Sequence, residues 1–383
     1  MNTTVEKRII PIATPSMGEE EWMAVREPIE KGWLTQGPKV REFETLFAQM
    51  HNVKHALAVS NCTTALHLAL LACGVGPGDE VIVPSFTWVS TANAVLYCNA
   101  TPILVDIDLT TFNIDVAQVE KKITSKTKAI IPVHLFGLCT DVDLIREKFP
   151  QLKIVEDGAC ASGASLRGKS AGSLGHVGCF SFHPRKSVTC GEGGMLTTND
   201  DDIAEHLDML RNHGASISEE QRHHGAKPYL LAAFDIIGYN YRMTDLQGAV
   251  GFVQLKKLNS FIDERNSWTH YYDDQLAEIN WLKTPSTPQG YRHGWQSYVT
   301  YVDENKSPRK RNDIMEILQQ KGISTRPGTH AIHMLGAYIK KFGYKAGDFP
   351  AAYAADQYSM AIPLHNKMVR EDFDYIVEAL KSL

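Results

Sequence analysis

The chain has 383 residues, of which 43% are hydrophobic and 22% charged, and its formal net charge is -5. That balance is ordinary for a water-soluble fold of two domains, and it offers no basic field for nucleic acid. No apolar run has the purity of a leader or a membrane span, and seven cysteines without a Cys-x-x-Cys pair fit reduced thiols in a cytoplasmic protein rather than a disulfide frame or a zinc site.

Between residues 50 and 200, short apolar runs alternate with helical ones. Strands are predicted over 55–59, 80–83, 101–105, 129–133, 153–155, 179–182 and 195–198, with helices such as 63–73 and 116–123 between them. Most of these strands are unbroken apolar runs, the pattern of strands covered on both faces in a mostly parallel sheet. The expected fold class is therefore α/β, with a large domain over residues 1–255. After Asp200 come a helix over 203–212, a polar loop over 214–228 and a long helix from 244 to about 278. An alternating strand over 295–302, a helix over 308–321, a short strand before Arg326 and an amphipathic helix over 370–380 predict a smaller α+β domain over 256–383.

Ligands of open α/β sheets lie beyond the carboxyl ends of the strands. The run 179–182 leads into His183-Pro184-Arg185-Lys186, and Gly191-Glu192-Gly193-Gly194 leads back into the next strand. A lysine held there, partly buried beside Arg185 and His183, is expected to favour the neutral amine that attacks a carbonyl and carries pyridoxal 5'-phosphate (PLP). Asp157 follows the strand 153–155 and can either hold a protonated pyridine nitrogen or cap a turn. The segment Ser60-Asn61-Cys62-Thr63-Thr64 joins a strand to a helix, where the amides of Cys62 and Thr63 can bind a phosphate or serve an ordinary N-cap. Ser181 is a second phosphate candidate. Trp88, beyond the strand 80–83, can stack on a planar ring or join the core. Each residue alone has a plainer reading, but in chain order they place a phosphate anchor, a ring stacker, a carboxylate and a lysine at successive strand ends.

On these residues the chain resembles the DegT/StrS family of PLP-dependent sugar aminotransferases, within the fold-type I, aspartate aminotransferase-like superfamily. The matching segments are Gly32-Trp33-Leu34-Thr35-Gln36-Gly37-Pro38, Ser60 to Leu66, Pro84 to Ala94, Pro132-Val133-His134-Leu135-Phe136-Gly137, Glu156-Asp157, Ser181-Phe182-His183 with Lys186 and the glycine loop, and Gly238 to Asp245. The resemblance implies that Lys186 is the catalytic, cofactor-carrying lysine. It assigns Asp157 to the pyridinium, Trp88 to the ring face, and Cys62, Thr63 and Ser181 to the phosphate. It further implies a homodimer in which Asn240 reaches the neighbouring subunit's cofactor phosphate, and sugar contacts from Thr35, Gln36 and the region running from Arg326 through His330 to His333. His134 and His183 are candidates for substrate binding or proton movement. Cys160 departs from the family, which often has a glutamine there to meet the ring hydroxyl, and a thiol is the weaker partner.

The function this implies is PLP-dependent transfer of an amino group from an amino acid, by resemblance L-glutamate, to a keto sugar. A nucleotide-linked sugar is the leading acceptor, in amino-sugar biosynthesis for a surface polysaccharide or lipopolysaccharide, with no metal, nucleic acid or membrane involved. A keto sugar without nucleotide, such as an oxidised 3-deoxy-octulosonate giving an 8-amino sugar acid, would use the same chemistry. Arg222, Lys227, Arg309 and Lys310 are the cations available to a diphosphate. A non-catalytic PLP-binding regulator finds no helix-turn-helix in the chain, and a PLP enzyme acting on a small amino acid would need an arginine clamp that the sequence does not locate.

Overall fold

The computed structural model describes residues 8–217, 229 and 231–383. Seven strands make the central sheet: β1 (His55–Val59), β2 (Glu80–Pro84), β3 (Thr101–Val105), β4 (Thr127–Ile130), β5 (Lys153–Asp157), β6 (Val177–Ser181) and β7 (Gly194–Thr198). Their spatial order is β1-β7-β6-β5-β4-β2-β3, with β7 antiparallel to both neighbours and the other pairs parallel. Every residue of β6 and β7 is buried, which is why their sequences carry no polar alternation. The chain is thus an α/β protein, as its apolar runs predict. The winding reverses between β2 and β4, so the crevice at the carboxyl ends opens close to where Trp88 and Asp157 emerge. The strand expected over 129–133 stops at Ile130, because Pro132 has no amide to donate to a ladder.

Helices cover both faces: α1 (Pro38–His51), α2 (Cys62–Ala72), α3 (Val89–Tyr97), α4 (Asp201–Arg211) and the long α5 (Asp245–Leu276). α5 lies so close to α1 that a Cβ on Gly248 would stand 2.7 Å from the Val40 nitrogen. Asp245 starts α5 and also caps α1, its carboxylate accepting from the amides of Gly37 and Val40 at 2.9 and 3.0 Å.

A second, three-stranded antiparallel sheet pairs β8 (Leu282–Lys283) and β10 (Ser359–Ile362) with the central β9 (Tyr298–Val302). Helices α6 (Arg311–Gln320) and α8 (Arg370–Lys381) supply Ile314, Leu318, Phe373 and Ile376 to its core, and Ile10 joins them from the N-terminal segment. The boundary expected at 255 falls inside α5, which gives Leu255, Leu258 and Ile262 to the large core and Tyr272 and Leu276 to the small one. The changeover lies beyond Ile262. Helix α7 (Pro350–Tyr358) follows C-terminal to this point yet packs Ala352 and Ala355 against the large core. The strand expected before Arg326 is a single bridge to Ala361, and the polar loop expected over 214–228 lies outside the described residues from 218 onward.

Candidate active site

Asp157 is the last residue of β5, and its backbone is locked on both sides, its amide donating to the Pro132 carbonyl at 2.9 Å and its carbonyl accepting from the His134 amide at 3.0 Å. The carboxylate, 5% exposed, accepts from the Thr91 hydroxyl at 2.7 Å and from the Ala159 amide at 3.1 Å. Two neutral donors therefore orient it, and among the described residues no cation is in hydrogen-bonding contact with it. In the turn after β5 stands Cys160; in the turn after the adjacent β6 stands Lys186, whose Nζ lies 3.1 Å from the Cys160 sulfur.

The electrostatics of Lys186 differ from the expectation. Burial does push toward the neutral amine, but Cys160, with Cys62 and Asp157 close by, favours the ammonium and the net displacement is upward. Arg185 is exposed, so the positive neighbour in sequence is not the neighbour that matters in space. Burial, then Asp157, pushes the Cys62 thiol up while Lys186 pulls the other way.

The segment expected to hold a phosphate starts α2. The Asn61 side chain caps it by accepting from the Thr64 amide at 2.9 Å, leaving the amides of Cys62 and Thr63 at the first two helical positions without an intrahelical acceptor. Gly194, the last residue of the glycine loop, lets this turn sit on β7: a Cβ there would lie 2.5 Å from the Asn61 carbonyl oxygen and 2.8 Å from the Cys62 nitrogen. Gly194 is also the register partner of Ser181, so Ser181 and the start of α2 flank the same glycine.

Trp88 precedes α3 and is 58% exposed, with its ring centroid 5.6 Å from that of His330. His330 is brought there by pairing with Thr87. Arg326 is exposed and donates to the Thr325 carbonyl at 2.8 Å. His183 is half-buried, its Nδ1 accepts from the Arg185 amide at 3.2 Å, and burial lowers its pKa.

One expected substrate contact changes. His134 is fully buried; its Nδ1 accepts from the Thr140 amide at 3.0 Å and its Nε2 donates to Glu156 at 2.7 Å. With both ring nitrogens engaged, His134 is part of the frame and has no atom to offer a substrate. Thr35 and Gln36 are not joined to the Lys186 cluster within this chain. Gln36 lines a groove of about 770 Å³ together with Glu44, Asp208, Asn212 and Arg242. Asn240, exposed, bridges Asn212 and so belongs to that same face.

Thr91 was not singled out from the sequence, although the position three residues after Trp88, on the first turn of a helix, is the signal that could have found it. Ser90 accepts from the Thr63 hydroxyl at 3.0 Å and ties the ring side to the phosphate side.

The residues present fit PLP: an amine for its aldehyde, an oriented carboxylate for its ring nitrogen, and unengaged helix-start amides for its phosphate. Sheet order and site together define a PLP-dependent enzyme of the aspartate aminotransferase-like fold. The DegT/DnrJ/EryC1/StrS aminotransferase family is matched over residues 15–381, and the chain belongs to it. It is a PLP-dependent sugar aminotransferase. It is 40% identical over 378 residues to GDP-perosamine synthase of Caulobacter vibrioides, with 98% of each chain covered. It is 38% identical to the spore coat polysaccharide biosynthesis protein SpsC of Bacillus subtilis, covering 99% of this chain and 98% of the relative. The PLP form of Spr1654, a candidate sugar aminotransferase of Streptococcus pneumoniae, superposes with a TM-score of 0.89 at 29% identity and 98% coverage of both chains.

Proposed function

We propose that this enzyme moves an amino group from L-glutamate to a nucleotide-linked keto sugar, in a homodimer with shared sites. The observation that carries the choice of acceptor is the end-to-end similarity to an enzyme named for a GDP-linked product. Kinship with SpsC, named for spore coat polysaccharide biosynthesis, supports a destination in a surface polysaccharide.

PLP, when bound, supplies the electron sink that loosens the α-proton of the amino donor. Around it the chain's own groups divide the work. Lys186 Nζ would be the attachment point for the cofactor's aldehyde and would serve as the base that moves the α-proton of the donor. Asp157, oriented by Thr91 and the Ala159 amide, keeps the ring nitrogen protonated. The amides of Cys62 and Thr63 and the Ser181 hydroxyl would hold the phosphate, Trp88 would cover the ring, and Cys160 would meet the ring hydroxyl. His183, Arg326 and His330 are assigned to the sugar.

Support for the shared site comes from the stretch leading to Asn240, where Leu231, Phe234 and Ile237 are 84%, 62% and 89% exposed. A second copy would cover them and receive Asn240 at its cofactor phosphate. Thr35 and Gln36, on the same face, would meet a sugar across that interface.

Borohydride reduction of the loaded enzyme followed by peptide mapping should label Lys186. Turnover of a GDP-linked keto hexose should exceed that of a nucleotide-free keto sugar acid by orders of magnitude. Label on another lysine overturns the site, and the reverse substrate preference overturns the acceptor.

A further inference from the structure

Arg265 lies on α5 with only 6% of its surface exposed. A guanidinium buried this deeply usually faces a carboxylate, since an unpaired buried charge is costly. Here all three acceptors are neutral. Its Nη1 donates to the Ser187 hydroxyl at 3.2 Å and to the Trp295 carbonyl at 3.1 Å, and its Nε donates to the Asn366 side-chain oxygen at 2.8 Å. The nearest acid in sequence, Glu264, is taken up by the Asn366 amide at 2.7 Å. Burial, with no carboxylate in contact among the described residues, pulls the Arg265 pKa down to about 10, which still leaves it charged at neutral pH.

The three acceptors come from three separate parts of the chain, and one of them, Ser187, directly follows Lys186. Trp295 is itself held in place: its φ is +42°, its amide donates to the His293 ring nitrogen at 2.9 Å, and its indole stacks on that ring at 3.8 Å. The next residue, Gln296, donates to the Arg185 carbonyl at 2.9 Å. The turn carrying Lys186 is therefore gripped on both sides, through Arg185 and through Ser187, by groups that meet at the 293–296 segment. Only a forked, permanently charged side chain reaches a hydroxyl, a carbonyl and an amide oxygen at once; a lysine reaches fewer and a methionine none.

We propose that Arg265 is the positioning residue for Lys186, fixing through Ser187 the turn that aims the lysine nitrogen at the cofactor. This rests on Lys186 as the attachment point, and it goes beyond that reading by assigning control of the lysine's aim to a side chain 79 residues away in sequence, on a helix that spans both cores.

The test compares Arg265→Met, Arg265→Lys, Ser187→Ala and Asn366→Ala with the parent enzyme. Capture of PLP is trapped with borohydride at timed intervals, and the cofactor's visible absorbance is titrated with pH, because that band reports protonation of the lysine nitrogen joined to PLP. Arg265→Met and Ser187→Ala are expected to slow capture about tenfold, the scale of one lost charge-assisted hydrogen bond, and to move the titration midpoint. Arg265→Lys should recover part of the capture rate. Asn366→Ala, which removes the contact remote from the lysine turn, should lower Tm and leave the midpoint unmoved. Ser187→Ala keeps the comparison open if Arg265→Met fails to fold. Capture rates and midpoints equal to the parent's in both Ser187→Ala and a folded Arg265 variant overturn the proposal and leave Arg265 a structural staple. A parent enzyme that takes no borohydride label at Lys186 overturns the attachment reading instead.

Discussion

Replacing His134 by alanine separates a frame residue from a substrate ligand. The imidazole is fully buried, held in the Nε2–H tautomer by the Thr140 amide donating to Nδ1 at 3.0 Å while Nε2 donates to Glu156 at 2.7 Å. Glu156 is equally buried and also accepts from the Gly172 and Gly175 amides at 2.8 and 2.5 Å. Truncation orphans the Thr140 amide, at about 1–3 kcal/mol, and deprives a buried carboxylate of its side-chain donor. Together the two lost contacts cost roughly 2–5 kcal/mol, a large share of the about 5–15 kcal/mol of a whole domain. Equilibrium urea unfolding should show the midpoint falling with the slope unchanged, and the KM of the folded fraction for the keto sugar should stay within about twofold of the parent's. A loss below about 1 kcal/mol together with a tenfold rise in that KM would refute the reasoning and return His134 to the substrate.

Gly194→Ala should weaken PLP binding about tenfold or more, since the new Cβ would lie 2.5 Å from the Asn61 carbonyl oxygen and displace the start of α2; absorbance titration with PLP measures it. Asp157→Asn should lower the single-turnover rate with glutamate roughly 10- to 100-fold while the Thr91 and Ala159 contacts keep the fold intact, the scale of one charged hydrogen bond. His51 is held neutral by burial, which lowers its pKa from 6.5 to about 4 against a smaller opposing pull from the Phe47 carbonyl. The unfolded chain therefore binds the extra proton first: this stability is complete above pH 6.5 and is lost as pH falls through about 4, to a total of about 3 kcal/mol. Urea midpoints at pH 7 and pH 5 should differ accordingly, and a His51→Gln variant should show a smaller difference.

The strands of the large domain were legible because burial on both faces leaves them almost no polar residue, a pattern that survives without tertiary information. Their directions were not. The run that became β7 reads like its parallel neighbours, and only the tight return through Gly191-Glu192-Gly193-Gly194 makes it antiparallel. The domain boundary was hard to read for a related reason. An amphipathic helix shows that one stripe is buried but not against what, and α5 keeps its period while changing cores between Ile262 and Tyr272.

At the site, what could be read from the sequence was whatever follows a strand directly: Asp157, Lys186, Trp88 and the start of α2 are where they are because the sheet delivers its carboxyl ends to one edge. What could not be read depends on approach between distant segments. Thr91 meets Asp157 across 66 positions, and Arg265 meets Ser187 across 78. The same distinction explains the two misreadings. A histidine just after a strand looks alike whether it faces a ligand or Glu156, and Lys186 draws its electrostatics from Cys160, Cys62 and Asp157 rather than from Arg185 beside it in sequence. A thiol 3.1 Å from the lysine nitrogen, at a position where the family often has an amide, is thus the first of the neighbours that favour the ammonium. It follows that Cys160→Gln should ease deprotonation of Lys186 and quicken PLP capture, since it removes the neighbour that most strongly favours the ammonium. Capture measured by borohydride trapping across pH should show its rise shifted to lower pH in that variant. A rise at the parent's pH would mean that Asp157 and burial alone govern the lysine.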